Sequence, residues 1–267
     1  MAPILRQLSR PVTVRVTGRP GTGRATVAAA LVGAGWRVVG DAGTGDVTVL
    51  VVAETVKPED LPTPAALVVL NKCDLLGAAA PRQTDEIRRR TGRPTLPLNA
   101  LLATAVLDEV LVDALRAPSP DAVTRERLLA TLDRFGIARA TAALRAGAGT
   151  EALPELMRQL SGIEDVLDAL TAVTAPVRYL RAERAVTDLR ALAVGSGDAA
   201  LWELLASDGL VLGLMAAAAD VVRADGLPIG PADAVRWSRY GRGPVNALHR
   251  GCAHALTRGA LRLAART

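Results

Sequence analysis

The sequence predicts a three-layer α/β domain over residues 1–117, built on a mostly parallel sheet, followed by an all-helical region over residues 118–267. Three observations carry this. Residues 11–18, PVTVRVTG, alternate β-branched and other residues as a strand does. Two apolar runs, at 47–53 and 65–70, are bounded by loops, the pattern of parallel strands covered on both faces. Beyond residue 118 strand alternation stops and only helical periodicity remains.

The elements follow in order. The first strand enters a Gly-rich turn at 18–23, and an Ala-rich helix from 24 to about 31 is stopped by Gly33 and Gly35. A short strand is expected at 36–39, and the two apolar strands come next. Thr84 is expected to cap a helix with Asp85 and Glu86 in its first turn, Arg88, Arg89 and Arg90 in its last, and Gly92 as its stop. A strand at 94–98 and an amphipathic helix at 101–117 complete the domain. Residues 118–121, PSPD, read as a linker. In the helical region Leu128, Leu129, Leu132 and Phe135 share one face, Ser161 and Glu164 form a capping box, and further helices cover 177–193, 198–223 and 244–265. Trp202, Trp237 and Tyr240 are expected to be packing residues, and neither histidine has a partner at a recognisable spacing.

Composition sets the limits. Half of the 267 residues are hydrophobic, but there are only three Trp, two Tyr and one Phe, so the core must be built from Ala, Val and Leu. The formal net charge is +5, with no run of five like charges, and reads as a solvated surface rather than a nucleic-acid footprint. Of the 32 lysines and arginines, all but Lys57 and Lys72 are arginine. Cys73 and Cys252 have neither metal-ligand spacing nor the number for a disulfide framework. No signal peptide is visible, and the most apolar stretch, 210–219, falls short of the ~20 residues of a membrane span. A cytoplasmic protein is expected.

Residues 18–25 read G-R-P-G-T-G-R-A. The phosphate-binding loop pattern G-x-x-x-x-G-K-[ST] is met at Gly18 and Gly23, with a strand before and a helix after. Glycines, Gly21 included, let successive N–H groups turn around a phosphate at the helix N-terminus. The catalytic additions differ. Arg24 stands where Lys would reach the terminal phosphates, and Ala25 where a hydroxyl would bind Mg²⁺. Arginine keeps the charge but carries it on a wide planar fork. Thr26 is one residue late and points roughly 100° away, which leaves Thr22 as the substitute hydroxyl. By itself the segment also fits an ordinary strand-turn-helix with glycines for steric reasons.

Residues 71–74, N-K-C-D, follow a buried-type strand. They resemble the N-K-x-D signature of the translation-factor-like class of P-loop GTPases. That resemblance implies that Asp74 accepts two hydrogen bonds from the guanine edge, Asn71 supports base and loop, and the Lys72 stem covers the ring. Leu98, Asn99 and Ala100 resemble the family's S-A-[KL] guanine loop with Asn for Ser, so Ala100 would offer its N–H to the guanine O6. The resemblance spans residues 11–116 and implies a truncated P-loop NTPase fold that takes GTP or GDP.

The departures bear on chemistry. The family carries two switches and a D-x-x-G motif between its first helix and the strand before N-K-x-D. Here about a dozen residues separate Gly35 from Val47. Asp41 is the nearest remnant, one residue short; it suits a water bound to Mg²⁺, but an ordinary Asp-Gly turn is the commoner case. Phosphoryl transfer rests on positioned charge and metal, so hydrolysis is expected to be weak or absent.

The helical half is similar, loosely, to the region after the GTPase domain of bacterial dynamin-like proteins, over residues 160–163 and 180–185. It is expected to bind a protein partner, another GTPase or a second copy. Arg250, His254, Arg258, Arg262 and Arg266 recur every four residues in the last helix. Such a stripe suits peripheral contact with an anionic membrane or an acidic partner, but a docked helix with a solvated basic face is the commoner case. Three functions are weighed: a degenerate guanine-nucleotide binder, a nucleotide-free scaffold, and a slow GTPase using Arg24, Thr22 and Asp41.

Overall fold

The structure, a computed structural model, describes residues 10–230 and 233–266 together with residues 4, 6 and 8. The chain splits into two compact units, Thr13–Leu170, and Thr171–Thr267 with Met1–Val12.

The first unit is built on a five-stranded parallel sheet of β1 (Thr13–Gly18), β2 (Arg37–Val39), β3 (Val47–Ala53), β4 (Leu67–Asn71) and β5 (Thr95–Leu98), in the order β2-β1-β3-β4-β5. Helix α1 (Arg24–Gly33) buries Val27 and Leu31. Helix α2 (Ala80–Thr91) buries Ile87 in a cluster with Leu50, Val52, Val68 and Leu70 of β3 and β4. All five residues of β4 are buried, as a strand covered on both faces requires.

Coverage of β1 differs. The pleat sends Thr13, Arg15 and Thr17 to one face, and Arg15 and Thr17 remain partly exposed. No helix joins β2 to β3. Residues 40–46 instead cross β1 directly, a span of roughly 10 Å at the usual strand spacing. So short a crossing works because Val39 pairs with Arg15 while Val47 pairs with Val14, leaving almost no climb along the strands. Gly45 lies against β1, where an added Cβ would sit 2.6 Å from the Arg15 nitrogen. Asp46 fastens the crossing by accepting from the Thr13 N–H and hydroxyl, both at 2.7 Å.

Several expected boundaries shift. Helix α2 begins at Ala80 with Pro81 in its first turn, so Thr84 is not its cap but a buried interior residue donating to the Ala80 carbonyl at 2.8 Å. Gly92 does close it, in the left-handed conformation. The helix expected at 101–117 is two, α3 (Ala100–Ala103) and α4 (Glu109–Arg116), because Asp108 caps a fresh start through the Leu111 N–H. Helix α5 (Ala122–Arg145) is capped by Asp121 and broken at Asp133, and α6 (Leu153–Ser161) ends at Gly162. Leu128 and Leu132 are buried, whereas Leu129 is 40% exposed. Glu164 pairs with Arg158, and Ser161 donates to the Arg158 carbonyl and accepts from Ile163 N–H, so the expected capping box does not form. The sheet-bearing unit runs past residue 118 to Leu170. Leu128, Leu132, Leu153 and Met157 share one buried cluster with Leu102, Leu111 and Leu115.

The second unit is helical. It holds most of α7 (Ile163–Ser196), which contains Pro176, then α8 (Ala199–Ala206), α9 (Asp208–Ala224), α10 (Ala234–Arg242) and α11 (Ala247–Ala264). Tyr179, Trp237, Cys252 and Leu256 are buried together, while Trp202 is 47% exposed, not a core residue. No single helix among the described residues is long and apolar enough to cross a membrane.

Candidate functional site

Parallel strands deliver the loops that follow them to one edge of the sheet. In an open sheet of this order the direction of winding reverses between β1 and β3, and clefts form outside the carboxyl ends of the strands there. The loop after β1, residues 19–23, sits at that reversal.

Its backbone is one that only glycine adopts without strain. Gly18, Gly21 and Gly23 have φ of 157°, 83° and 81°. Space demands glycine as well: a Cβ on Gly18 would lie 2.4 Å from the Val51 carbonyl oxygen, and one on Gly23 2.3 Å from Asn71 Nδ2. Gly23 opens α1, and no side chain caps that helix. Its first-turn N–H groups therefore keep donors for an anion. Arg19 stabilises the loop from outside, its Nε 3.1 Å from both oxygens of buried Asp60 and its Nη2 3.4 Å from the Thr55 carbonyl.

The loop after β4 closes on the same place. Asn71, 3% exposed, donates from Nδ2 to the Thr22 carbonyl at 2.9 Å, and its Oδ1 accepts from the Ala100 N–H at 3.0 Å. Lys72 takes a left-handed backbone with φ 58°, and its Nζ donates to the Gly21 carbonyl at 2.9 Å. Residues 18–23, 71–72 and 99–100 thus meet at one edge, joined by named hydrogen bonds. Asp74 follows in the turn Cys73–Ala79. Burial, and then the negative charge of Asp133, raise its carboxyl above the ordinary carboxylate range. Burial and Asp74 likewise push the Cys73 thiol up to about 11.

The expected metal and terminal-phosphate residues are engaged with one another. Arg24 Nη1 donates to the Gly18 carbonyl at 3.0 Å and to Asp41 Oδ2 at 2.7 Å. The Thr17 hydroxyl donates to Asp41 Oδ1. That hydrogen bond, then the charges of Arg24 and Arg15, hold the Asp41 carboxyl below its usual range. Thr22 is 3% exposed and spends its hydroxyl on the Arg19 carbonyl at 2.9 Å, so it is not presented as a substitute ligand. Ala25 has no ligand atom, and Thr26 lies in the first turn of α1. Among the described residues no three His, Cys, Asp or Glu side chains converge. These side chains do not fit a protein-held Mg²⁺.

The Asn99 side chain is engaged within the chain. Its Nδ2 donates to Asp133 Oδ2 at 3.0 Å, while its Oδ1 accepts from the Leu102 N–H at 3.4 Å. Sequence reasoning missed Asp133, Arg19 and Thr17. The D-x-x-G spacing of Asp133 and Gly136 inside a helical pattern was the one available signal; the other two join residues far apart in the chain.

The basic stripe of α11 is largely spoken for. Arg258 donates to the Leu205 carbonyl at 3.1 Å, Arg262 to Ala206 and Asp208, Arg266 to Asp208, and Arg250 to the Val245 carbonyl at 3.1 Å. Three of these arginines thus serve the junction of α8 and α9, where cations suit a helix C-terminus. His249, without a partner in the sequence reading, bridges the Tyr240 hydroxyl at 2.5 Å and Asp225 at 2.7 Å.

No protein-family model matches this chain, and no curated protein matches it.

Proposed function

We propose that this chain is a degenerate P-loop GTPase-type protein that binds GDP or GTP, with weak or absent hydrolysis, and engages a protein partner through its helical half. The supporting observation is the pair of contacts from Asn71 and Lys72 to the Thr22 and Gly21 carbonyls. They bring the segment that resembles a base reader onto the segment that resembles a phosphate cradle. The uncapped start of α1 would take a phosphate, Asp74 the guanine edge, and Ala100 the base oxygen. The Arg24–Asp41 pair argues for slow chemistry, since the cation is already neutralised and the carboxylate already donated to.

The same pair favours a second reading, a nucleotide-free scaffold in which the Arg24 charge is spent on Asp41 and the Gly18 carbonyl rather than on a phosphate. Calorimetric titration of the full chain with GDP, GTP and ATP separates the two. Guanine nucleotides bind and ATP does not, and Asp74→Ala lowers GDP affinity by about 100-fold or more, since two charged hydrogen bonds of ~1.5–3 kcal/mol each are lost. No heat with any nucleotide leaves the scaffold reading.

A further inference from the structure

Asp133 has φ 56° and ψ −174°, a backbone region open to glycine and costly for a residue with a Cβ. It lies inside α5, which it breaks. Its Oδ1 accepts from the Gly136 N–H at 2.9 Å and so restarts the helix. Gly136 seats that restart against α3, where an added Cβ would meet Leu102 at 2.5 Å. The other oxygen, Oδ2, takes the Asn99 amide at 3.0 Å. Asn99 is otherwise fixed by its N–H to the Ser161 carbonyl at 2.9 Å, and the next residue, Ala100, gives its N–H to Asn71. A helix break thus delivers one carboxylate to the turn that joins β5 to α3.

That carboxylate also lies in the field of Asp74. The charged groups acting on Asp74 are Asp133 from α5 and Lys72, which precedes its turn, and Asp74 in turn acts on the adjacent Cys73 thiol. Lys72 spends its ammonium on the Gly21 carbonyl. We propose that Asp133 is a positioning residue of the base site: it holds the Asn99 amide, and through it the turn at Ala100, and sets a second negative charge beside Asp74 that selects a ligand edge rich in N–H donors. Guanine presents such an edge, with its N1–H and 2-amino group adjacent. The inference rests on the guanine reading above and names what sharpens it. It also works in the free protein, where burial, and then the charge of Asp133, favour the protonated form of Asp74. Binding needs Asp74 ionised, so affinity falls as pH drops through the raised Asp74 pKa. Removing the Asp133 charge moves that fall to lower pH.

The test uses the full chain, Asp133→Asn and Asp133→Gly. Asparagine keeps an oxygen for the Gly136 N–H and removes the charge, while glycine accepts the backbone of position 133 and removes both, so the pair separates lost function from lost fold. Carbon-13 NMR of the nucleotide-free proteins follows the Asp74 carboxyl and the Asn99 side-chain amide, and calorimetry follows GDP affinity against pH. Both variants are expected to titrate Asp74 at lower pH, to shift the Asn99 amide signal, and to bind GDP about tenfold more weakly at neutral pH, with the acid loss of affinity displaced downward. An unchanged Asp74 titration and Asn99 signal overturn the proposal even where GDP binds. The NMR shifts without any GDP uptake by the wild-type chain overturn the guanine reading and the selection of guanine, and support the hold of Asp133 on Asn99 and Asp74.

Discussion

Asn71 shows how one side chain can join three segments. Its amide donates to the Thr22 carbonyl, its oxygen accepts from Ala100, and it is buried, so neither partner has water as a substitute. Asn71→Ala should therefore cost about 2–4 kcal/mol, the sum of two buried groups left unpaired. A lower urea midpoint at unchanged slope would register it. Gly23 meets the same amide from the other side. Gly23→Ala must fit a methyl 2.3 Å from Asn71 Nδ2 at φ 81°, with a stability loss of ~1–3 kcal/mol or more. A Gly23→Ala protein as stable as wild type would mean the loop is looser than described. The residue identities at 18, 23 and 71 were legible in the sequence, because loop and base-reader patterns name them. The partners of Asn71 were not, since Thr22 lies 49 residues away.

At the scale of elements, the loop and α1 carry an Arg and an Ala where a phosphate site with metal uses Lys and a hydroxyl. Arg24 reaches Asp41 because residues 40–46 cross β1 so tightly that Asp41 arrives beside Thr17. The double substitution Arg24→Lys with Ala25→Ser should tighten nucleotide binding about tenfold or more in the presence of Mg²⁺, with little change in its absence. Calorimetry with and without the ion reads the difference. An unchanged magnesium dependence would place the defect in the shortened crossing rather than in the two side chains. The sequence showed how short this connection is, with about a dozen residues between Gly35 and Val47. It also left no helix between the strands expected at 36–39 and 47–53; only the sheet shows the near-level register of Val39 and Val47 on β1 that lets so short a link cross.

For the whole molecule, the division of the core decides what folds alone. Leu111 and Leu115 of α4 share one buried cluster with Leu128 and Leu132 of α5 and with Leu153 and Met157 of α6. A fragment ending at residue 117 would expose that apolar surface, at ~1.5–3 kcal/mol for each large side chain. Residues 1–170 should melt cooperatively, while residues 1–117 should not, by circular dichroism with heating. A cooperative transition in the shorter fragment would show that the sheet is self-sufficient. The thiols give a second, gentler check. Burial, then Glu183 and Asp225, push Cys252 up to about 12, and Cys73 rises to about 11. Both stay protonated at neutral pH, so disulfide-exchange labelling should be slow until the chain unfolds.

The sequence by itself determined the parallel sheet, the helical second half, and the glycine and N-K-C-D segments, because local conformational preference and periodicity are written in neighbouring residues. Tertiary structure alone decided which groups remain available. Arg24, Asp41, Thr22 and most of the arginines of the last helix are spent on partners within the fold, and Asp133 reaches the Asn99 turn only because α5 breaks there. Short-range patterns fix backbone shape, whereas the availability of a charge depends on what folding brings within about 3 Å of it.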